Sequence, residues 1–401
     1  MSKVYIVAAR RTAVGSFMGS LSGATAWDMG VTVVKAALED ARVSPEQVDE
    51  LICGNILPAG LGQGIARQIA VGAGIPVEVC AYSLNMICGS GMKAVLNGVA
   101  GIKLGESDIV VAGGVENMSS APYLLPKETR KGIKMGAFQV QDHMVLDALT
   151  DAFDNVHMGV TAENIAVKYG ITREAQDAFA YASQQKAIKA VDEGAFDEEI
   201  VPIEVKIGRE MVTFARDEYP NRTTSPEKLA RLRPAFLKDG TVTAGNASGI
   251  NDGAAFLVLA GEKAVKELGL TPMAEIIATG QGGVEPSVMG LGPVPAIRQA
   301  LKRADMKLSE VELLELNEAF AAQSLGVLKE LSEEHGMSRE DILSRTNLFG
   351  GAIALGHPVG ASGARILVTL LHALRRIGKQ IGLAALCIGG GMGTAVIVRK
   401  V

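Results

Sequence analysis

The feature that most constrains the fold is an internal repeat that relates the two ends of the chain. Residues 37–51 and 300–314 carry matching apolar positions that are 263 residues apart. Ser90-Gly91 then matches Ser362-Gly363 at a separation of 272, and Gly113-Gly114 matches Gly389-Gly390 at 276. Matches that stay in order while their separation grows by small steps indicate a duplication. The sequence therefore predicts two similar halves near the two ends of the chain.

Both halves alternate between strand-like and helix-like segments. Short apolar runs bounded by turn residues predict strands, and apolar residues at helical spacing predict helices. The segments with this alternation include 3–9, 28–41, 108–113, 383–388 and 395–398. Residues 91–104 and 363–374 are largely apolar, which is typical of buried central helices. The predicted fold class is α/β, with helices that cover a mixed sheet in each half.

The middle of the chain lacks this alternation. It contains an amphipathic helix at 172–192 and a polar run at 206–239, and strand-like sequence resumes at 254–260. We interpret the middle as an insertion into the first half. The predicted domains are a first half at 1–120 and 247–271, an inserted loop domain at 121–246, and a second half at 272–401. The mild basic excess of the polar run fits either a solvated face or a flap that binds an anion.

Composition and charge argue against several classes of function. The chain of 401 residues has a net charge of −5 and no basic run, so neither nucleic acid nor a membrane is an expected partner. The four cysteines form no C-x-x-C pair and the five histidines have no metal-ligand spacing, so no metal site or disulfide framework is predicted. No apolar stretch reaches the roughly 18 residues of a membrane span. The expected location is a reducing cytoplasm.

Cys88 lies at a glycine-rich corner between a predicted strand and a predicted helix. Residues 77–83 are strand-like, and the apolar residues of Met92–Val99 follow at the spacing of one helical face. The unpaired N–H groups and the positive dipole at the start of such a helix favour a thiolate. Cys88 is therefore a candidate nucleophile. The alternative, a small buried hydrophobic side chain, stays open on these grounds alone.

Three further candidate residues occur at glycine-rich or helix-start junctions of the second half. Asn317 begins Asn-Glu-Ala-Phe, His357 lies in Ala-Leu-Gly-His-Pro, and Cys387 precedes Ile-Gly-Gly-Gly. Each also has a structural interpretation: Asn317 as a helix N-cap, His357 as a hydrogen-bonded loop residue, and Cys387 as a core strand residue. In a duplicated fold, equivalent junctions of the two halves meet at one interface. The junction residues of both halves therefore predict a single site.

Over essentially its whole length, the sequence resembles the thiolase family. The motifs that carry the resemblance follow the order typical of that family. They are Arg-Thr-Ala-Val-Gly-Ser-Phe at 11–17, Asn-Met-Ile-Cys-Gly-Ser-Gly at 85–91, Gly-Gly-Val-Glu-Asn-Met-Ser at 113–119, His-Met-Gly-Val-Thr-Ala-Glu-Asn at 157–164, Ala-Gly-Asn-Ala-Ser-Gly-Ile-Asn-Asp-Gly-Ala at 244–254, Asn-Glu-Ala-Phe at 317–320, Gly-Gly-Ala-Ile-Ala-Leu-Gly-His-Pro at 350–358 and Cys-Ile-Gly-Gly-Gly at 387–391.

The resemblance implies a thiolase fold, with two pseudo-symmetric α/β halves and an inserted loop domain, and a reaction that condenses or cleaves acyl-CoA thioesters. Cys88 would then be the nucleophile that takes the acyl group, and His357 would accept its proton. Cys387 would be the acid/base that removes a proton from Cα of the second acetyl-CoA. The family pattern assigns one oxyanion hole to His357 with a water held by Asn317, and another to the backbone N–H groups of Cys88 and Gly389. An acyl-enzyme implies ping-pong kinetics, and no cofactor is expected.

The resemblance also implies substrate contacts. Ser248 is similar to a serine near the CoA pantetheine, and Phe320 completes the motif that begins at Asn317. Asn221-Arg222 departs from the family pattern at the place where an arginine often packs on the CoA adenine, and Arg222 is the candidate for that contact. His157 and Met158 are similar to the pair that lines a small acyl pocket in members that form acetoacetyl-CoA.

The expected small-molecule partners are acetyl-CoA, acetoacetyl-CoA and CoA. Residues 121–149 match the region through which related enzymes assemble, so a homo-oligomer is expected, with a tetramer favoured over a dimer. Two alternatives stay open at this point. The first is a degradative 3-ketoacyl-CoA thiolase of broader chain length, and the second is a non-catalytic acyl-CoA or lipid-binding protein on the same fold.

Overall fold

A computed structural model describes residues 3–401. The strands are β1 (Val4–Thr12), β2 (Gly15–Ser16), β3 (Glu50–Gly54), β4 (Cys80–Leu84), β5 (Ile109–Asn117), β6 (Tyr123–Leu124), β7 (Gln141–Asp142), β8 (Ile200–Val201), β9 (Ile203–Ile207), β10 (Glu210–Phe214), β11 (Asn251–Gly261), β12 (Ala274–Gly283), β13 (Leu313–Leu316), β14 (Ile381–Ile388) and β15 (Met392–Lys400). The α-helices are α1 (Ala26–Ala41), α2 (Ile65–Gly72), α3 (Ser90–Leu104), α4 (Met158–Tyr169), α5 (Arg173–Asp192), α6 (Pro226–Ala230), α7 (Glu262–Leu268), α8 (Pro293–Ala304), α9 (Ala321–His335), α10 (Arg339–Ser344), α11 (Ala352–Leu355) and α12 (Val359–Ile377).

The main sheet repeats one four-strand pattern, once in each half. The strand order is β1–β11–β5–β3 in the first half and β12–β15–β14–β13 in the second. In both halves the first two pairs of neighbours are antiparallel and the last pair is parallel. Strand β4 extends the first half, and a short antiparallel pairing of β1 with β12 joins the two halves. The predicted α/β class and its duplication are confirmed.

Helices α3 and α12 are equivalent elements of the two halves, and they pack directly against each other. A Cβ atom on Gly91 would lie 2.9 Å from the carbonyl oxygen of Gly360, and one on Gly363 would lie 2.5 Å from the nitrogen of Met92. Glycine is therefore required where the helices cross. Helix α12 is buried from Val359 to Leu371. The prediction of two central helices is confirmed. Because the two helices pack against each other, the turns that precede them, one from each half, lie close together.

The inserted segment is bound to the first half by the sheet and by a buried ion network. Strand β8 pairs in parallel with β1. Arg11, in β1, donates to Glu199 at 2.6 Å and to the two oxygens of Asp217 at 2.7 and 2.9 Å, and all three side chains are buried. Removal of one partner from such a network leaves an uncompensated charge, which costs about 3–5 kcal/mol. The polar run at 206–239 is therefore more than a solvated face, because Asp217 lies in the core.

Most predicted elements are observed, with shifted ends. Helix α5 begins at Arg173, with Thr172 as its N-cap. The strand before Cys88 begins three residues later than predicted, because the backbone first turns at Pro76 and Val77 is 65% exposed. Within residues 3–401, no helix combines the length and the apolar character needed to cross a membrane. The domain limits at 120, 246 and 271 stay predictions.

Candidate active site

Cys88 lies in a tight turn between β4 and α3. The residue before it, Ile87, has a φ of 45°, a conformation that costs a β-branched residue of the order of 1–3 kcal/mol. Three hydrogen bonds hold the turn: the Ile87 N–H donates to Asn85 Oδ1 at 2.9 Å, the Met86 N–H donates to Ser90 Oγ at 2.8 Å, and Ser90 Oγ donates to the Ile87 carbonyl at 2.6 Å. The position of the Cys88 thiol is therefore fixed by its surroundings.

His357 is held by an equivalent arrangement in the second half. Ser362 Oγ donates to the carbonyl oxygen of Pro358 at 2.9 Å and lies 2.5 Å from His357 Nδ1. Because the single hydroxyl proton is directed to Pro358, the imidazole Nδ1 must be the donor in the second contact. The backbone N–H of His357 donates to Asn251 Oδ1 at 2.9 Å. The neutral ring therefore keeps its proton on Nδ1, which leaves the lone pair of Nε2 free to accept a proton.

The repeat explains why these two turns look alike. Ser90 and Ser362, which the repeat aligns, are near the starts of α3 and α12, and each bonds back to the turn that precedes its helix. One turn carries the thiol of Cys88 and the other carries the imidazole of His357. The Ser-Gly match is visible in the sequence, but the sequence gives no indication that Ser362 holds the imidazole.

Cys387 is the penultimate residue of β14, buried beside Cys88. Burial, and then the proximity of Cys88, raise the pKa of the Cys387 thiol above its ordinary value. The backbone N–H of Gly389 is directed at the Cys88 sulfur and opposes the effect of burial on that thiol. Gly389 therefore lies where the family pattern expects an oxyanion donor, next to the atom that would carry the acyl group.

Burial disfavours the charged form of each reactive group, because it raises the pKa of both thiols and lowers that of the imidazole. Burial raises the pKa of Cys88 to about 11, although the N–H groups of Gly389 and of Cys88 itself favour the thiolate. Burial, followed by the positive charge of Arg365, lowers the pKa of His357 to about 3. The sequence-based expectation that backbone N–H groups favour a thiolate at Cys88 has the right direction, but burial has the larger effect on the pKa. Desolvation outweighs the dipole, so the thiol has to lose its proton to a base as it attacks.

Asn317 follows β13 and has an unusual side chain. It is 1% exposed, and neither its Oδ1 nor its Nδ2 has a hydrogen-bond partner within residues 3–401. Helix α9 begins at Ala321 with Phe320 as its N-cap residue, so the interpretation of Asn317 as a helix cap is wrong. Buried amide groups are rarely without partners. A donor and an acceptor are therefore available at this position for a small polar molecule.

A cavity of about 450 Å³ brings most of the predicted residues together. Ten site residues were predicted from the sequence, and seven of them line the cavity: Cys88, His157, Met158, Ser248, Phe320, His357 and Cys387. His157 is the N-cap of α4, where its Nδ1 accepts the N–H of Gly159 at 3.1 Å. Its ring stacks on Phe236, with ring centroids 4.5 Å apart. The remaining proton of the neutral His157 ring is therefore on Nε2, which can donate to a ligand.

Arg222 is placed differently from the other predicted contacts. Its guanidinium donates to the two oxygens of Asp192 at 2.9 and 2.6 Å, the residue is exposed, and it does not line the cavity. Its contact with CoA stays a prediction. Asn317 and Gly389 also lie outside the lining, although Gly389 borders a neighbouring cavity of about 380 Å³ that shares Met158.

Several residues that line the cavity were not predicted from the sequence. Tyr219, Phe236 and Met289 lie in separate segments and carry no motif. Phe236 contacts both His157 and Phe320, with an edge-to-face arrangement toward Phe320 at 6.1 Å. Only the apolar character of these residues could have indicated them, and apolar residues are common throughout the chain.

Comparison with known proteins agrees with this geometry. Residues 4–263 match the family model for the thiolase N-terminal domain, and residues 270–400 match that for the thiolase C-terminal domain. A duplicated α/β fold that closes over two thiols and an imidazole is the architecture of this class of acyl-transferring enzymes. The chain belongs to the thiolase family.

Individual relatives are similar over their full length. The sequence is 52% identical to the acetyl-CoA acetyltransferase of Escherichia coli, over 100% of both chains, and 51% identical to the cytosolic acetyl-CoA acetyltransferase of Rattus norvegicus, over 99% of this chain and 98% of the relative. Among solved structures, the acetyl-CoA acetyltransferase of Syntrophomonas wolfei superposes with a TM-score of 0.97 at 44% identity, over 100% of both chains. That of Bacillus anthracis gives 0.95 at 45% identity, over 100% of this chain and 99% of the other.

Proposed function

We propose that the protein is an acetyl-CoA C-acetyltransferase, which joins two acetyl-CoA into acetoacetyl-CoA and CoA and also catalyses the reverse thiolysis. The observation that carries the proposal is the single cavity in which Cys88, His357 and Cys387 meet. Relatives that are 51% and 52% identical over nearly the whole chain are named for the same activity. The reaction as proposed uses side chains and CoA thioesters only.

Acylation comes first in the proposed cycle. The sulfur of Cys88 attacks the carbonyl carbon of acetyl-CoA while its proton passes to Nε2 of His357. The N–H groups of Cys88 and Gly389 stabilise the negative charge that develops on the carbonyl oxygen. As the tetrahedral intermediate collapses, the bond to the CoA sulfur breaks and Cys387 gives its proton to that sulfur. CoA leaves, and the site holds an acetyl thioester, an imidazolium and a thiolate.

Condensation follows after a second acetyl-CoA enters. The Cys387 thiolate removes a proton from Cα of this molecule, and the enolate oxygen is stabilised by His357 and by a water that Asn317 orients. The enolate carbon attacks the acetyl carbonyl, which forms the new C–C bond and expels the thiolate of Cys88. That thiolate recovers its proton from His357, so all three residues return to their starting state. The burial that keeps these groups neutral at rest also strengthens each electrostatic contact during the reaction.

The cavity supports a short acyl substrate. Met158 and the stacked pair His157–Phe236 border a space of about 450 Å³, part of which the pantetheine arm near Ser248 would occupy. We expect thiolysis of acetoacetyl-CoA to exceed that of a 3-ketohexadecanoyl-CoA by at least about 100-fold in kcat/KM, because each methylene that a pocket cannot accept costs affinity.

The chain-length comparison decides between the two candidate activities. Both substrates are assayed with the same enzyme and the same CoA concentration, with 3-ketohexanoyl-CoA as an intermediate length. A rate with the long substrate equal to or above that with acetoacetyl-CoA would contradict the short-chain proposal. The degradative 3-ketoacyl-CoA thiolase would then be the better assignment.

Ser362 should control acylation through the tautomer of His357. In Ser362→Ala, Nδ1 loses its acceptor, so the proton is no longer confined to that nitrogen. We expect the rate of acetyl transfer from acetyl-CoA to fall by about 10- to 100-fold, at most the lower limit of the contribution of general-base catalysis, because the imidazole itself is still present. Quenched-flow mass spectrometry measures this rate. The control is Ser332→Ala on α9, which removes a hydroxyl that donates to the Met337 carbonyl at 2.6 Å. Equal rates for the two variants would contradict the role of Ser362.

The cellular location and the assembly state are also proposals. We infer a cytoplasmic enzyme that assembles as a homotetramer through residues 121–149. The apolar surface of this segment supports the assembly, because Tyr123, Leu125 and Phe138 are each at least half exposed and Met135 is 95% exposed. Exposed apolar surfaces of this kind mark protein contacts.

A further inference from the structure

A buried carboxylate beneath the active site has no part in the cycle described above. Glu116 is the penultimate residue of β5 and is 0% exposed. Its Oε1 accepts from Asn55 Nδ2 at 2.8 Å and from the Leu57 N–H at 3.1 Å. Its Oε2 accepts from the N–H groups of Ile56 and Gly360, both at 3.0 Å. Every partner of this carboxylate is a donor, which is the arrangement that an ionised carboxylate requires.

The four donors come from both halves of the molecule. Residues 55–57 follow β3 in the first half, whereas Gly360 is the second residue of α12 in the second half. The first N–H groups of a helix have no partner inside the helix, and Pro358, the N-cap residue of α12, makes no side-chain cap. Glu116 supplies this cap from the other half. A Cβ atom on Gly360 would lie 2.5 Å from Glu116 Oε2, so glycine is required for this approach.

The residues that donate to Glu116 lie next to the reactive residues in both halves. On one side, Ile56 and Leu57 belong to a small apolar cluster with Val359, against which Cys88 packs. On the other side, Gly360 lies between Val359, which lines the cavity, and Ser362, which holds the ring of His357. The carboxylate therefore connects the surroundings of the thiol to the helix start that carries the base.

We propose that Glu116 is a positioning residue that couples the two halves at the active site, because it fixes the start of α12, and with it His357, against the loop that packs on Cys88. The inference rests on the proposed acyl transfer. It assigns to Glu116 the alignment of the thiol and the imidazole, without contact with the substrate. Misplacement of reacting groups by about 1 Å can lower a rate by about 100-fold.

The charge of Glu116 has a separate effect on the thiol. Burial raises the pKa of Glu116 itself to about 7, while the N–H groups of residues 56, 57 and 360 oppose that rise. At alkaline pH its negative charge adds to the effect of burial on Cys88 and disfavours the thiolate. The other titratable groups close to this pair are Cys53 on β3, Asp252 on β11, Cys387 on β14 and His357.

Two substitutions separate position from charge. Glu116→Gln keeps the length but removes the charge and turns an NH₂ group toward N–H donors, so two of the four hydrogen bonds are lost. Its acetylation by acetyl-CoA should slow by about 100-fold. The pH midpoint for alkylation of Cys88 by iodoacetamide should fall, because the negative charge that disfavours the thiolate is removed. Glu116→Asp keeps the charge, but the aspartate side chain is too short to accept from the donors of both halves at once. It should slow acetylation to a similar degree and leave the alkylation midpoint near that of the unsubstituted protein.

The matched control is Glu163→Gln. Glu163 is also a buried carboxylate that accepts backbone N–H groups, from Thr241 and Val242 at 2.7–3.0 Å, but it lies in the inserted segment. We expect this variant to lose thermal stability without a shift in the alkylation midpoint. Asn55→Ala, which removes one of the four donors, should slow acetylation by a few-fold, and it replaces Glu116→Gln if that variant does not fold.

Acetylation of the unsubstituted protein tests the proposed function first and independently of Glu116. If it is acetylated, rates for Glu116→Gln and Glu116→Asp within about 3-fold of its own would overturn the inference. A slow Glu116→Gln with the alkylation midpoint of Glu163→Gln would also overturn it, because both variants would then only weaken the fold. Slow acetylation in both Glu116 variants, with a midpoint shift only in Glu116→Gln, supports it.

Discussion

Cys88→Ser will take up no acetyl group when it is mixed with acetyl-CoA, whereas the unsubstituted protein will gain the mass of one. Serine has a far higher pKa than cysteine, and the surroundings of Cys88 already disfavour an anion, since burial raises the pKa of the thiol itself to about 11. A neutral imidazole with its free Nε2 accepts a thiol proton readily, whereas in Ser-His-Asp sites the imidazole that serves as the base for a hydroxyl has a carboxylate on its other nitrogen. The Nδ1 of His357 faces the hydroxyl of Ser362 instead. We expect the rate of acylation to fall by more than about 1,000-fold.

The measurement is the mass of the intact protein after a brief mix with acetyl-CoA, followed by a peptide map that locates the adduct. Cys80→Ser is the matched control, because Cys80 is a free, exposed cysteine on β4, the strand that leads into the same turn. This control should keep the full adduct. An adduct that survives in Cys88→Ser, or its absence from the unsubstituted protein under conditions where CoA binds, would contradict the assignment. The latter result would favour a non-catalytic acyl-CoA-binding protein.

The repeat and the junction motifs made much of the fold predictable. The matched residues 37–51 and 300–314 run from α1 into β3 and from α8 into β13. The pairing of β1, β11, β5 and β3 recurs in β12, β15, β14 and β13. Cys88 could be located because a glycine corner before an apolar helix is a local pattern. His357 and Cys387 occur at comparable junctions, and the resemblance to the thiolase family supplied their roles. Local sequence carries these features because each depends on residues close together in the chain.

The remaining features depend on contacts between distant segments. In the sequence, Glu116 is a single polar residue near the end of a predicted strand. Its neighbours in sequence do not indicate that the N–H of Gly360, in the other half, donates to it. The stack of Phe236 on His157 joins segments with no shared pattern. The CoA contact that the family pattern suggests for Arg222 stays a prediction, and the side chain pairs with Asp192 in the structure. Burial is equally non-local, so the protonation of Cys88 could not be judged from its position before a helix.

Cys387→Ser should separate the two halves of the reaction. The variant should still form the acetyl-enzyme, because Cys88, His357 and the N–H of Gly389 are unchanged, and the CoA thiolate is stable enough to leave without the proton that Cys387 supplies. Condensation should fall by more than about 1,000-fold. A serine hydroxyl is neither acidic enough to be left as an anion by the first step nor, when neutral, basic enough to remove a proton from Cα of acetyl-CoA.

Two assays on the same preparation test this separation: the mass of the acetyl-enzyme and the formation of acetoacetyl-CoA. Cys53→Ser is the control, because Cys53 is likewise a fully buried free cysteine whose pKa burial raises, but it lies on β3 outside the lining of the cavity. It should retain both half-reactions. Acetoacetyl-CoA formation by Cys387→Ser at more than about one tenth of the normal rate would mean that another group removes the proton. Such a result would direct attention to His357, which could be the base of both steps only after it passes the proton from Cys88 to the departing CoA.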